Sequence, residues 1–488
     1  MISEEMKSRY RLVIGLEVHA QLHTETKIFS SDSNSFGDAP NTNVSTITLG
    51  HPGVMPKLNK KAVEYAIKMG LACNSKISEF QFFDRKNYFY PDLPKGYQVT
   101  QDKTPICVGG KVPVVYDGDQ HSEVILNRIH LEEDAGKSIH KDGETDSFID
   151  LNRAGVPLIE IVTEPVINTP EEAGAFLTEV RKIVRYLDIC DGNMEEGSLR
   201  CDANVSVMKH DATEFGKKVE VKNMNSIKNV VKAIHHERDR QIAILESGGE
   251  VFSETRTYDP ESGDSFGMRT KEELNDYRYF PEPDLSPVHI TQEWLEAIRS
   301  KMPLLPADYR KKFQEVYELK EADALVLTDV KELALYYDAV CGLTSNYKAA
   351  ANWVMGPLKS YLNDSGVSIV ESVIRPEHLA QIIGLVDSGK VSFSVASQQL
   401  FPYLVTHPDE TADEAAHDLN LFHDSDEDSI QPIIDEVLVS QPDKVKEYQK
   451  GKKGLIGMFM GEVMKKTKGK VDPKVANKLL RDSLEMIK

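Results

Sequence analysis

Six ionisable residues stand where strand geometry could bring them into one site. They lie in segments that read as β-strands: Glu17, His19, Glu132, Glu160, Asp202 and Glu220. Alternate side chains of a strand share one face, so each of these residues has polar or apolar company that its neighbours in sequence lack. Several carboxylates with one imidazole suit a hard cation such as Mg²⁺. The pattern indicates a magnesium-dependent site, and ordinary solvated strand faces are the alternative.

Glu160 is the least ordinary of the six. Its flanking residues and those two positions away are Leu, Ile or Val. A carboxylate in such a strand costs several kcal/mol (order of magnitude) unless a cation, a metal or hydrogen bonds compensate it. The alternative to a catalytic or metal site is an ion pair within the sheet, with Arg153 or Arg200.

Three basic residues near these acids in sequence, Lys137, Arg153 and Lys222, are candidate contacts for ATP phosphates. Phosphoryl transfer depends mainly on positioning and charge neutralisation, which this combination of acids, cations and metal would supply. The segment 136–138 reads Gly-Lys-Ser, but Leu131 stands where a P-loop requires glycine. We therefore expect no Walker-type nucleotide site.

Two aromatic and basic stretches, residues 84–98 and 276–287, punctuate the same half of the chain. Tyrosine and phenylalanine beside arginine and lysine could stack unpaired bases of a single-stranded RNA end. Proline-bounded aromatic loops packed on a sheet are the alternative.

The elements that would position these residues predict an α+β fold with largely antiparallel strands. A helix is predicted from Pro170, because Thr169 can act as N-cap and Glu172 follows at capping-box spacing. A second helix is predicted from Ser226 to about Leu245. After residue 287 the pattern becomes helical, so we predict a sheet-rich domain over 1–300, a helical domain over 301–405 and a small helical domain over 406–488.

The charge distribution changes sharply near the C-terminus. Residues 407–436 contain eleven Asp and Glu and no Lys or Arg, whereas residues 444–478 contain eleven Lys and three acids. The net charge of −20 argues against nucleic-acid binding by the whole surface, but the basic stretch is a candidate local patch. Its candidate RNA-binding residues are Lys450, Lys452, Lys453, Lys465, Lys466 and Lys468.

Composition excludes several protein classes. No apolar run approaches the roughly 18 residues of a membrane span, and no signal-peptide pattern opens the sequence, which favours the cytoplasm. The five cysteines have no CxxC pair, so a disulfide framework or a structural zinc site is not expected.

Taken together, these segments resemble a known family, GatB, which is one subunit of aspartyl/glutamyl-tRNA amidotransferase. Ordered blocks carry the resemblance, among them IGLEVHAQLHTETKIFS (14–30), HLEEDAGKS (130–138), DLNRAGVPLIEIVTEP (150–165), MEEGSLRCDANVSV (194–207) and DYRYFPEPDL (276–285). It implies a cradle domain, a helical domain and a YqeY-like tail domain that grips the tRNA. It also implies ATP- and Mg²⁺-dependent phosphorylation of the side-chain carboxylate of Glu-tRNA(Gln), Asp-tRNA(Asn) or both. Ammonia would arrive through a tunnel from the amidase subunit GatA, with a small subunit, GatC, bracing the pair.

The resemblance also implies roles for particular residues. It makes His19, Glu132 and Glu160 the metal ligands and Glu17, Asp202 and Glu220 the other site acids. Between the two glutamates of the LEED block, strand alternation favours Glu132 over Glu133.

One departure from the family pattern concerns zinc. Many members have a CxC pair and a CxxC pair where this sequence has Ser30, Asp32, Ser45 and Thr48. With the four thiolates absent, we predict no structural zinc.

Two other functions stay open on the sequence alone. One is a free-standing magnesium-dependent hydrolase of phosphate esters, and the other is a non-catalytic RNA-binding scaffold. Co-purification with an amidase would separate both from the amidotransferase reading.

Overall fold

A computed structural model describes residues 2–118, 120–140, 143, 145–270, 277–422, 427–467 and 471–486, without the side chains of residues 269 and 270. The chain divides into two compact units, Met1–Leu305 and Pro306–Lys488. The first predicted domain boundary, after residue 300, lies near this division. The further boundary after residue 405 stays a prediction.

The N-terminal unit is built on a ten-stranded sheet. Its path runs β15-β14-β13-β12-β1-β11-β8-β6-β2, and β7 also pairs with β8. The strands of the unit are β1 (Tyr10–Gln21), β2 (Lys76–Ile77), β3 (Phe80–Gln81), β4 (Asp84–Asn87), β5 (Tyr97–Thr100), β6 (Cys107–Val108), β7 (Lys111–Tyr116), β8 (Gln120–Glu133), β9 (Lys137–His140), β10 (Ser147–Asp150), β11 (Pro157–Thr163), β12 (Leu199–Lys209), β13 (Val219–Lys222), β14 (Glu254–Tyr258), β15 (Ser265–Thr270), β16 (Arg278–Pro281) and β17 (Val288–His289).

Antiparallel pairing dominates this sheet, which confirms the predicted α+β class. The exception among the described pairs is β13 with β14, which run parallel. Three small sheets accompany it: β9 with β10, β16-β4-β5, and β17 with β3.

Alternation along β1 separates core from site. Ile14, Leu16 and Val18 are at most 1% exposed and belong to the main hydrophobic core. Glu17 and His19 lie on the opposite face and are partly exposed. The predicted apolar face of this strand is therefore confirmed as core.

The helices of this unit are α1 (Glu4–Lys7), α2 (Lys60–Ala72), α3 (Pro170–Tyr186), α4 (Ile227–Glu246) and α5 (Gln292–Arg299). Helix α3 begins as predicted, because the hydroxyl of Thr169 accepts the backbone N–H of Glu172 at 3.1 Å. Phe176 and Leu177 of α3 are fully buried in the same core as β1. This burial covers one face of the sheet and leaves the polar residues of β1 on the other.

The C-terminal unit is helical. Its helices are α6 (Pro306–Glu315), α7 (Glu321–Leu327), α8 (Lys331–Cys341), α9 (Tyr347–Trp353), α10 (Lys359–Ser365), α11 (Pro376–Asp387), α12 (Phe393–Val395), α13 (Phe401–Thr406), α14 (Ala412–Asp418), α15 (Glu427–Ser440), α16 (Pro442–Gln449), α17 (Ile456–Lys466) and α18 (Pro473–Met486). Helices α15 to α18 share a hydrophobic core of their own, with Ile434, Phe459 and Leu480 fully buried. Across the described residues, no helix combines the length and apolar character that crossing a bilayer requires.

Candidate active site

The candidate site lies on the polar face of four neighbouring strands, β8, β11, β1 and β12. Their register places His130 opposite Glu160, Glu160 opposite His19, and His19 opposite Arg200. Directly opposite residues of antiparallel strands share a face, with Cβ atoms about 4.5–5.5 Å apart. Strand order and alternation therefore place four polar side chains in one row across the sheet.

The first cluster in this region contains His19, Glu132 and Glu160, the three predicted metal ligands. Nε2 of His19 lies 3.5 Å from Oε2 of Glu160 and 3.9 Å from Oε1 of Glu132. One ligand atom from each of the three residues lies within 4.8 Å of the others. Ligands of Mg²⁺ stand about 2.1 Å from the ion, hence at most about 4.2 Å apart. This donor set fits a small divalent cation with only minor side-chain movement.

The charges of this cluster depend on one another. Burial favours the neutral acid, but contacts with His130 and His19 outweigh it and hold the pKa of Glu160 well below its usual range. Burial opposes the charged imidazole, yet contacts with Glu132 and Glu160 raise the pKa of His130 to about 9. Burial opposes the charge of His19 too, but contacts with Glu160 and then Glu132 raise its pKa. A metal bound here would compete with protons for these groups.

A second cluster contains Glu17, Asp202 and Glu220, on the adjoining strands β1, β12 and β13. One ligand atom from each lies within 4.8 Å of the others. The ammonium of Lys222 reaches this group, with Nζ 2.5 Å from Oδ2 of Asp202 and 3.0 Å from Oε1 of Glu220. Burial disfavours the ammonium, but the two carboxylates outweigh it and raise the pKa of Lys222. This cluster therefore contains its own cation.

Two protein-family models match the chain. One, described as the GatB/GatE catalytic domain, matches residues 12–296, and the other, described as the GatB domain, matches residues 335–484. This chain belongs to the GatB family. The first match includes every residue of both clusters, and the family resemblance predicted from the sequence blocks is confirmed.

Similarity to named GatB proteins extends over nearly the whole chain. A protein of Thermodesulfovibrio yellowstonii is 46% identical over 472 residues, 97% of this chain and 98% of its own length. One of Syntrophotalea carbinolica is 47% identical, covering 98% of this chain and 99% of its own. One of a Synechococcus species is 43% identical, covering 99% of both. Each is named as the GatB-type subunit of aspartyl/glutamyl-tRNA(Asn/Gln) amidotransferase.

In this GatB chain the two glutamates of the LEED block point to different surroundings. Oε2 of Glu132 accepts a hydrogen bond from the hydroxyl of Thr100 at 3.1 Å, and its Oε1 faces His19. Glu133 instead forms an ion pair with Lys95 and accepts the backbone N–H of Val99 at 2.9 Å. Only the first of these two carboxylates joins the cluster, as strand alternation predicted.

The predicted ion pair between Glu160 and Arg153 or Arg200 is wrong. Both arginines point to Asp134: NH2 of Arg200 lies 2.7 Å from its Oδ2, and Nε of Arg153 lies 3.8 Å from the same atom. Arg153 also donates to the carbonyls of the two residues that follow Asp134, at 2.9 and 2.6 Å. Imidazoles, rather than guanidinium groups, are the partners of Glu160.

Lys137, a predicted phosphate contact, begins β9. Its backbone lies opposite Asp150 in a separate two-stranded sheet, and its side chain is exposed. The structure gives it no described contact with either cluster, and its role toward phosphate stays a prediction.

His130 is a member of the site that the sequence pattern did not single out. The pattern places it on the same strand face as Glu132 but does not assign it to the site. The side chain is nearly fully buried, with Nε2 3.2 Å from Oε2 of Glu160 and 3.6 Å from Oε2 of Glu132. Its even spacing from Glu132 was the available signal.

The two aromatic stretches meet, because β4 and β16 pair side by side. The rings of Tyr88 and Tyr277 have centroids 5.4 Å apart, and Nζ of Lys86 lies 4.6 Å from the centroid of Tyr277. Phe89 is 94% exposed. Stacking of unpaired bases on these rings stays a prediction.

A cavity of about 290 Å³ adjoins the Glu133 side of the LEED block, lined in part by Lys27 and Lys95. The side chain of Lys27 is buried, and its Nζ donates to the carbonyl of Asn43 at 2.6 Å. Burial, only partly offset by nearby carboxylates, lowers the pKa of Lys27 to about 8. Lys27 and Lys222 thus show opposite responses to burial.

Five of the six predicted RNA-binding lysines are exposed in the C-terminal unit: Lys450, Lys452, Lys453, Lys465 and Lys466. Two already have acidic neighbours, since Nζ of Lys452 lies 3.1 Å from Glu447 and Nζ of Lys466 lies 2.6 Å from Glu436. Lys468 lies outside the described residues.

Proposed function

We propose that this chain is the ATP-dependent subunit of a tRNA-dependent amidotransferase. It would phosphorylate the side-chain carboxylate of Glu-tRNA(Gln), Asp-tRNA(Asn) or both. The observation that carries the proposal is the cluster of His19, Glu132 and Glu160, in a chain similar over nearly its full length to proteins named for this activity.

The proposed reaction has two steps. A side-chain carboxylate oxygen of the aminoacyl-tRNA attacks the γ-phosphorus of ATP, and the bond to the leaving ADP oxygen breaks. Ammonia then attacks the activated carbonyl, phosphate leaves, and an amide remains. His19, Glu132 and Glu160 would hold the Mg²⁺, which neutralises phosphate charge when bound.

The second cluster and the basic residues would act around that metal. Lys222 is positioned by Asp202 and Glu220, and Arg153 by backbone carbonyls beside Asp134. Cations held in this way can meet phosphate oxygens without much reordering. We therefore retain Lys222, Arg153 and Lys137 as proposed phosphate contacts.

Ammonia would come from a partner amidase subunit, GatA, with GatC as a small bracing subunit. The relatives are each named as one subunit of an amidotransferase, which implies an assembly of several subunits. All five cysteines are buried. Burial raises the pKa of the thiols, for example that of Cys341 to about 11, which disfavours a thiolate nucleophile for glutamine hydrolysis in this chain. We propose that the complex works in the cytoplasm.

The exposed lysines of residues 444–478 are the proposed tRNA contact. Each phosphate contact removed should lower the salt dependence of tRNA binding by about one in the log–log slope. Changing Lys450, Lys453 and Lys465 together to Ala should therefore weaken tRNA affinity and flatten this slope. Unchanged affinity and slope would contradict the assignment.

We also propose that no zinc is bound near residue 32. Asp32 accepts hydrogen bonds from the hydroxyl of Thr48 at 2.5 Å and from the backbone N–H of Ser45 at 2.9 Å. These contacts join three of the positions that thiolates would occupy. Elemental analysis of the purified chain is the test, and one zinc per chain would overturn the proposal.

The decisive experiment for the function measures ATP turnover by the co-expressed complex without any ammonia source. ADP should form when misacylated tRNA and Mg²⁺ are both present, and the γ-phosphate label should appear on the aminoacyl-tRNA. The same tRNA without its amino acid is the matched control. ATP hydrolysis that ignores the aminoacyl group, or transfer of no label, would contradict the proposal.

A further inference from the structure

Two imidazoles approach the same pair of carboxylates from different sides. Nε2 of His19 contacts Glu160 and Glu132 at 3.5 and 3.9 Å, and Nε2 of His130 contacts them at 3.2 and 3.6 Å. The exposed fraction of the side chain separates the two rings: 19% for His19 and 4% for His130. His19 therefore lies on the open side of the carboxylates and His130 on the enclosed side.

The two oxygens of Glu132 follow the same division. Oε1 faces His19, whereas Oε2 faces His130 and accepts the hydroxyl of Thr100 at 3.1 Å. One oxygen is thus held by buried groups, and the other is directed toward the accessible imidazole. A carboxylate held in this way presents a fixed ligand atom.

The ring of His130 is directed toward the carboxylates by its surroundings. Its Nδ1 is buried and has no hydrogen-bond partner among the described residues, so Nε2 makes its described polar contacts. The residue lies within β8, directly opposite Glu160 of β11. Regular strands hold side chains more accurately than loops do.

We propose that His130 is a positioning residue that orients the Glu132 and Glu160 carboxylates for a divalent cation without itself binding the ion. The proposal rests on the metal site of the proposed function. Loss of the Nε2 contacts would leave two neighbouring carboxylates free to turn apart. Loss of such supporting contacts typically weakens metal affinity about 10- to 100-fold.

The test compares His130→Gln with His130→Asn in the full-length chain co-expressed with its partner subunits. The amide nitrogen of Gln can occupy the position of Nε2, whereas that of Asn reaches only the position of Nδ1. Mn²⁺ is the probe, and its free concentration is measured by electron paramagnetic resonance. We expect His130→Asn to weaken binding about 10- to 100-fold and His130→Gln to stay within about fivefold of the unmodified chain.

A second signal separates positioning from ligation. Pulsed electron paramagnetic resonance detects nitrogen bound to Mn²⁺: the coupling should persist in His130→Gln and disappear in His19→Ala. Equal affinities for the Asn and Gln variants, or loss of the nitrogen coupling in His130→Gln, would overturn the proposal.

Glu160→Gln distinguishes this failure from that of the proposed function. If Glu160→Gln binds Mn²⁺ as tightly as the unmodified chain, the metal site itself is refuted, together with the role of His130. If only Glu160→Gln loses the metal while His130→Asn keeps it, the proposed function stands and the positioning role falls.

Discussion

Two groups of three ionisable residues lie on one sheet of this chain and differ in the cation that accompanies them. Beside Glu132 and Glu160 the positive partners are imidazoles. Beside Asp202 and Glu220 the partner is the ammonium of Lys222. An imidazole can lose its proton and bind a metal, whereas a lysine held between carboxylates keeps its charge.

Acid content alone therefore does not define a metal site. In the His19 cluster a divalent cation can replace protons, so the carboxylates gain a partner when the metal binds. In the Lys222 cluster a metal would first have to displace an ammonium that already neutralises the acids. The two clusters should have unequal affinities for the same ion, and the first should be filled before the second.

The largest expected effect comes from Glu160→Gln. The amide cannot supply an anionic ligand oxygen, so we expect the rate of tRNA-dependent ATP turnover to fall by at least about 100-fold. Glu220→Gln is the matched control, and it should change the Mg²⁺ concentration for half-maximal activity by less than about threefold, because Lys222 retains Asp202. A larger shift in Mg²⁺ requirement for Glu220→Gln than for Glu160→Gln would reverse the distinction between the clusters.

Lys222→Met probes the second cluster through stability. Removing the cation leaves three carboxylates near one another, and because Lys222 is 38% exposed the cost is discounted to about 1–2 kcal/mol of unfolding free energy. Millimolar Mg²⁺ should restore part of this loss in the variant, which would then bind the ion with its unpaired acids. Denaturant titrations with and without Mg²⁺ measure both effects, and a variant as stable as the unmodified chain would refute the neutralising role.

The smallest expected effect is the pH dependence that distinguishes the two lysines. The pKa of Lys27 is lowered from 10.5 to about 8, so the folded chain binds fewer protons than the unfolded chain between these values. Its stability relative to Lys27→Met should rise with pH across that window, by at most about 1.4 kcal/mol per pH unit. The pKa of Lys222 is raised, so its stabilisation is present below 10.5 and is lost as pH rises through the folded value. Slopes of the same sign for Lys27→Met and Lys222→Met would contradict the contrast.

Part of this arrangement could be predicted because it follows from local rules. Alternation along β1 separates Ile14, Leu16 and Val18 from the polar face, and capping chemistry at Thr169 starts α3 where it was expected. Alternation also selected Glu132 over its neighbour. Each of these features depends on residues close together in the chain.

The pairing of charges could not be predicted in the same way, because it depends on strand order. Only the placement of β11 between β1 and β8 brings His130 and His19 to opposite sides of Glu160. Likewise, Asp134 lies just after β8, where it takes Arg200, an arginine that the sequence pattern offered to Glu160. Ion pairs between distant segments are set by topology, which alternation does not encode.

Anomalous diffraction from crystals of the assembled complex, soaked in increasing concentrations of Mn²⁺, shows directly which cluster binds the metal. We predict that the first anomalous peak appears between His19, Glu132 and Glu160, before any peak among Glu17, Asp202 and Glu220. A first peak in the Lys222 cluster, or no peak beside His19 at saturating Mn²⁺, would contradict the assignment of the metal site.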